Sequence, residues 1–113
     1  MAQGLPGQLI SLLSAAAATG AGTTYSFGLD GNNQLPNRWI WEMTSTGSAT
    51  GLRVDIEGSF DGTNWYQVDT STTTTNYMRW VVDKPVPYIR ANLVTLTGGT
   101  TPTVTVKLMG TDT

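Results

Sequence analysis

The segment LRVDIEGSF, residues 52–60, sets Leu52, Val54, Ile56 and Phe60 against Arg53, Asp55, Glu57 and Ser59. A period of two places alternate side chains on opposite faces of an extended chain, whereas a helix would scatter that apolar set around its axis. The alternation returns in RWIWEM, where Trp39, Trp41 and Met43 oppose Arg38, Ile40 and Glu42. It returns again in TVTVKLM, with Val104, Val106 and Leu108 opposite Thr103, Thr105 and Lys107. TTYSFGL, NWYQV, YMRWVVD and YIRANLVTL read as further strands, and DGNNQLPN, TGSATG, FDGTN, DTSTTTTN, DKPVP and LTGGTTP as the turns between them. Short strands punctuated by Gly and Pro predict an all-β chain, an antiparallel β-sandwich or jelly roll.

Only the first twenty residues leave the pattern. QLISLLSAAAA contains strong helix formers, yet Leu9, Ser11 and Leu13 also alternate with Ile10, Leu12 and Ser14. An extended arm or edge strand is expected, because a sandwich offers sheet edges for it to join. Residues 1–20 are therefore read as an N-terminal arm and residues 21–113 as the sandwich domain. The apolar run is too short to span a bilayer. MAQGLPGQ supplies no positive region of the kind that opens a secretory leader, so the segment is read as part of the working chain. On an isolated molecule Leu9, Ile10, Leu12 and Leu13 would be an exposed liability. They are candidate interface residues, together with Trp39. The expectation follows that removing residues 1–14 abolishes assembly and leaves the sandwich folded.

Composition narrows the chemistry. The 113 residues contain no Cys and no His, which excludes disulfides, thiol nucleophiles, Cys/His zinc sites and Ser-His pairs. The six Lys and Arg residues are scattered and the formal net charge is −2. No basic stripe exists to neutralise phosphates, so neither nucleic acid nor membrane is an expected partner. Charged residues are 12% of the chain, about half the usual share. Thr, Ser, Gly and Asn fill the polar positions instead, a surface suited to assembly or to carbohydrate.

The stretch GSFDGTNWYQV concentrates the polar chemistry. Asp61-Gly62 is a hairpin-turn pair, since Gly accepts positive φ and the Asp carboxylate bonds neighbouring amides. Asn64 can do the same, and Trp65 then re-enters the sheet as an apolar anchor. Asp61, Gly62, Asn64 and Trp65 are thus read as a structural turn. The functional alternatives are specific. A general acid/base pair needs a second carboxylate beside Asp61, for which Asp55 and Glu57 are the candidates. Calcium would draw on Asp61, Asn64 and Asp69. Trp65 with Asn64, or Trp39 with Arg38, would make a sugar platform. The bland readings are favoured throughout: solvated charges for Asp55 and Glu57, and core for Trp39, Trp41 and Trp80. No catalytic residue, metal or cofactor is expected.

Three pieces together carry a resemblance: GSFDGTNW (Gly58 to Trp65), YIRANL (Tyr88 to Leu93) and the Gly/Thr loop leading to TVTV (Thr97 to Val106). Over roughly the C-terminal half, the chain resembles small structural proteins of tailed bacteriophages, of the capsid decoration (cement) type. The resemblance implies a β-sandwich without enzymatic activity and a place in the virion. It also implies contact with the major capsid protein or other virion proteins, and a homo-oligomer, first a trimer. A minor tail or baseplate role asks the same of the fold. The turn and Tyr-Ile-Arg pairing is also similar to discoidin-like and carbohydrate-binding jelly rolls, which keeps a carbohydrate- or receptor-binding module as the alternative.

Overall fold

The computed structural model describes residues 9–27, 38–82, 84 and 86–112. The expected turn at 30–37, the first eight residues of the arm and parts of the DKPVP segment lie outside the described residues. The strands are β1 (Leu9–Ala16), β2 (Gly20–Ala21), β3 (Tyr25–Ser26), β4 (Arg38–Thr46), β5 (Gly51–Ser59), β6 (Tyr66–Ser71), β7 (Tyr77–Val82), β8 (Tyr88–Thr97) and β9 (Thr103–Asp112). The described residues contain no helix.

Two antiparallel sheets face each other. One runs β1-β9-β4-β7, and the other β2-β8-β5-β6 with β3 also paired to β8. The alternation of the central strands explains the arrangement. Trp39, Trp41 and Met43 of β4 and Val104, Val106 and Leu108 of β9 point inward from the first sheet. They meet Leu52, Val54 and Ile56 of β5 and Ile89, Ala91 and Leu93 of β8 from the second. Removing each large side chain of this set from water is worth about 1.5–3 kcal/mol, which must hold the fold in the absence of disulfides.

The N-terminal segment is a strand rather than a helix, as its alternation predicts. Its role as a free apolar arm needs correction. β1 pairs with β9, Ile10 opposite Leu108, and Ile10, Leu12 and Leu13 are buried in the chain's own core. Leu9 keeps an exposed side chain. Trp39 is fully buried, so it too is core rather than interface. A bulge between Ser11 and Leu13 turns consecutive residues Leu12 and Leu13 both inward, an outcome that strict alternation cannot foresee.

The two open sides of the sandwich are closed differently. Beside β1 the chain itself crosses between sheets: Thr23 N donates to Leu12 O at 2.9 Å and Gly22 N to Ala91 O at 2.7 Å. A Cβ at Gly22 would collide with the Leu12 carbonyl oxygen, so no other residue fits the crossing. Between β6 and β7, the Asp69 carboxylate spans the gap. Its Oδ2 accepts from Trp41 Nε1 of the opposite sheet at 2.8 Å and from Arg79 Nε at 3.0 Å.

Candidate functional site

The outer faces of the two sheets differ in chemistry. On the five-stranded sheet the polar side chains satisfy one another. Arg53 Nε donates to Asp55 Oδ1 at 3.0 Å, and Thr70 Oγ1 to the same carboxylate at 2.6 Å. Arg90 Nε donates to Glu57 Oε1 at 2.7 Å, and Asn92 Nδ2 to Glu57 Oε2 at 3.2 Å. The Arg90 guanidinium also sits 4.2 Å over the Trp65 ring. Asp55 and Glu57 are therefore each held by a cation of their own, and neither approaches Asp61 as an acid/base partner. Asp55 is buried rather than solvated: it keeps its outward parity on β5, and the Arg53 and Thr70 side chains bonded to it lie over it.

The four-stranded sheet presents carbon instead. Leu9 lies opposite Met109, Met109 opposite Ile40, and Ile40 opposite Trp80, an apolar row that crosses all four strands. Met78 and Val82 flank Trp80 on β7. Leu9 is 64% exposed and Trp80 and Met78 61% each. The expectation that Trp80 is core is thus overturned. β7 turns Tyr77 and Val81 inward, Arg79 reaches the open edge, and the largest side chain of the strand faces solvent.

At one end of the other sheet, the expected structural turn is built as anticipated and more tightly. Ser59 is the hub: its hydroxyl accepts from Asp61 N and Gly62 N and donates to Asp61 Oδ1 at 2.9 Å. Asp61 Oδ1 also accepts from Thr63 N at 2.8 Å and Asn64 N at 2.9 Å, and Oδ2 accepts from Asn64 Nδ2 at 2.8 Å. The Asn64 and Thr63 amides, followed by the Ser59 hydroxyl and the Asn64 side chain, hold the Asp61 carboxyl far below its usual range. Gly62 adopts φ 79°, as the turn requires. The carboxylate oxygens proposed for calcium are engaged elsewhere, those of Asp61 by the turn and those of Asp69 by Trp41, Arg79 and its neighbour's amide, which leaves only the Asn64 carbonyl of that set. Among the described residues no cluster of three acidic side chains is placed to hold a metal.

The turn borders a cavity of about 370 Å³ lined by Gly58, Ser59, Phe60, Asp61, Asn64, Tyr66, Val68 and Val86. Two of its walls are aromatic rings almost wholly in solvent, Phe60 at 81% exposure and Tyr66 at 70%. Neither was singled out by the alternation, which assigned Phe60 to the core face. β5 ends at Ser59, and Phe60 already belongs to the turn. The aromatics nominated as a sugar platform are withdrawn from that role: Trp39 is buried, and Trp65 is half-buried beneath Arg90.

No protein-family model matches the chain, and no curated protein sequence matches it. Solved structures do. The SPBc2 prophage-derived protein YomS superposes with a TM-score of 0.64 at 14% identity, over 89% of this chain and 88% of that one. A family 89 glycoside hydrolase from Clostridium perfringens matches with a TM-score of 0.54 at 13% identity, over 92% of this chain. The chain spans only 15% of that enzyme's length. A family 29 carbohydrate-binding module aligns at 0.44 and 11% identity, over 93% of this chain and 89% of that one, too distant to add to the comparison. At such identities the likeness is one of fold: a β-sandwich shared with a prophage-derived protein and with one module of a large enzyme.

Proposed function

We propose that the protein is a non-catalytic structural component of a tailed-phage particle, a capsid decoration protein that docks on the major capsid protein through the outer face of its four-stranded sheet. The observation that carries this reading is the apolar row Leu9–Met109–Ile40–Trp80 with Met78 and Val82 beside it. Contiguous exposed carbon of this kind marks a protein contact. Among the described residues the opposite sheet, with Asp55 and Glu57 paired to Arg53 and Arg90, shows no comparable apolar row across its strands. The fold shared with a prophage-derived protein supports a phage setting. The engagement of Asp55, Glu57, Asp61 and Asp69 in structural bonds supports a role without catalysis.

The mechanism is mechanical and thermodynamic. A protein that binds the assembled shell and not its unfolded or unassembled subunits stabilises the shell by about 2.7 kcal/mol per site at a hundredfold excess over Kd. Self-association, with a trimer as the first expectation, belongs to the same reading, and the apolar row supplies its adhesive surface. Quantitative mass spectrometry of purified particles of the encoding phage tests the proposal. Hundreds of copies per particle are expected. A handful would move the protein to the tail or baseplate, and complete absence would overturn the structural role.

A further inference from the structure

We infer that the cleft between the 60–64 turn and β6 is a binding site for a neutral saccharide, separate from the docking face and independent of it. The cavity of about 370 Å³ lies at the small end of the range for ligand sites, roughly 300–1,000 Å³. It accommodates a short glycan rather than a folded partner.

The lining selects the chemistry. Phe60 and Tyr66 offer two exposed ring faces to one cavity, and Val68 and Val86 supply apolar walls. Gly58 makes room for Val86, whose Cγ1 would lie 2.9 Å from any Cβ placed there. The polar side-chain groups of the lining are those of Ser59, Asp61 and Asn64 and the Tyr66 hydroxyl. Ser59 and Asp61 are spent on each other and on the turn amides. Asn64 is different. One of its amide hydrogens is committed to Asp61 Oδ2, which fixes the plane of the group. A second N–H and the carbonyl oxygen remain as a donor and an acceptor side by side.

A ligand that fits must carry flat C–H surfaces for the rings and adjacent hydroxyls that both give and take hydrogen bonds. It must also lack charge. Among the described residues no Lys or Arg lines the cavity, the nearby Lys84 ammonium being bonded to the Val68 carbonyl at 2.9 Å, and the Asp61 carboxylate already accepts four donors and has little left for a cation. A pyranose meets all three conditions. A polyproline peptide would use the rings equally well, but it presents carbonyl acceptors only and would leave the Asn64 oxygen unmatched. The turn holds its shape through its own bonds, so the site is formed before ligand arrives and little ordering cost opposes binding.

The test uses the full chain, fluorescently labelled, on an array of neutral and N-acetylated oligosaccharides, followed by amide NMR titration with the strongest glycan. Binding is expected to perturb Phe60, Asn64 and Tyr66. Phe60→Ala and Tyr66→Ala should each weaken it by about tenfold or more, the scale of losing an anchoring aromatic. Both side chains are exposed, so both variants should keep the parent's melting temperature. Absence of glycan binding overturns the proposal, as does binding that survives both substitutions. Perturbation of the same residues by a polyproline peptide, with no response to any glycan, overturns it in favour of peptide docking. None of these outcomes depends on copy number in a particle, which tests the docking face separately.

Discussion

Trp41 donates its ring N–H to Asp69 across the gap between the sheets, at 2.8 Å. Trp41 belongs to β4 and Asp69 to β6, strands of different sheets, and Arg79 of β7 bonds the same carboxylate oxygen. One side chain thus ties together three strands along the side of the sandwich where residues 72–76 carry the chain from β6 to β7. The hydrogen bond and the charge of Asp69 raise the Arg79 pKa above its already high ordinary value.

Loss of that clasp should be felt as stability. Asp69→Ala leaves the Trp41 N–H without its acceptor in a part-buried position, and the expected cost is about 1–3 kcal/mol. Asp69→Asn, which keeps a carbonyl oxygen, should cost less. Equilibrium urea unfolding compares them. An Asp69→Ala protein as stable as the parent would show that the sheets need no clasp there.

The N-terminal strand is structural, so its removal should unfold the protein rather than merely disperse an assembly. Leu12 is buried against the core that β9 and β4 form. Leu12→Ala should destabilise by about 2–5 kcal/mol, and deletion through residue 14 should abolish cooperative thermal unfolding. A truncated chain with an intact melting transition would restore the free-arm reading.

Acid should act on the turn late. Asp61 has a folded-state pKa well below its ordinary 3.8. Its contribution is therefore fully present above pH ~4 and lost only as pH falls through the depressed folded value. Asp61→Asn should lower the melting temperature at neutral pH, and the gap between variant and parent should close as pH falls below ~4. A gap that is constant from neutral pH to pH ~2 would mean that the carboxylate charge is not what the turn uses.

Two tryptophans on neighbouring strands should behave in opposite ways. Trp39→Ala opens the core and should cost about 3–5 kcal/mol. Trp80→Lys alters a side chain that faces solvent, and should change stability by no more than about 0.5 kcal/mol while abolishing self-association and capsid binding. Light scattering and capsid co-sedimentation read the second effect. Undiminished binding by Trp80→Lys would remove the docking face from the mechanism.

The residues that were legible in sequence are those on central strands with an unbroken alternation. Trp39, Trp41 and Met43, and Val104, Val106 and Leu108, fall inward as a period of two demands. The misreadings have physical causes. Alternation reports parity and not direction: in YMRWVV the parity of Met78, Trp80 and Val82 reads as core by size, and the other parity faces it. In β5 Leu52, Val54 and Ile56 keep their inward parity, the unpaired residues of its irregular pairings being Val94 of β8 and Val68 of β6. Asp55 is buried on the outer face by its bonds to Arg53 and Thr70, partners that counting along one strand does not bring together. The Asp-Gly turn was readable from its residue types. The cleft beside it was not, because a cavity between Phe60, Tyr66 and Val86 depends on where a later strand passes.

The pairing of β1 with β9 reaches beyond stability into biosynthesis. Leu9 and Ile10 are made about a hundred residues before their partners Met109 and Leu108. Until those residues clear the exit tunnel, Leu12 and Leu13 have no strand to lie beside and the four-stranded sheet lacks its centre. The four-stranded sheet can therefore close only after β9 has emerged, and the nascent chain carries Leu12 and Leu13 unshielded until then.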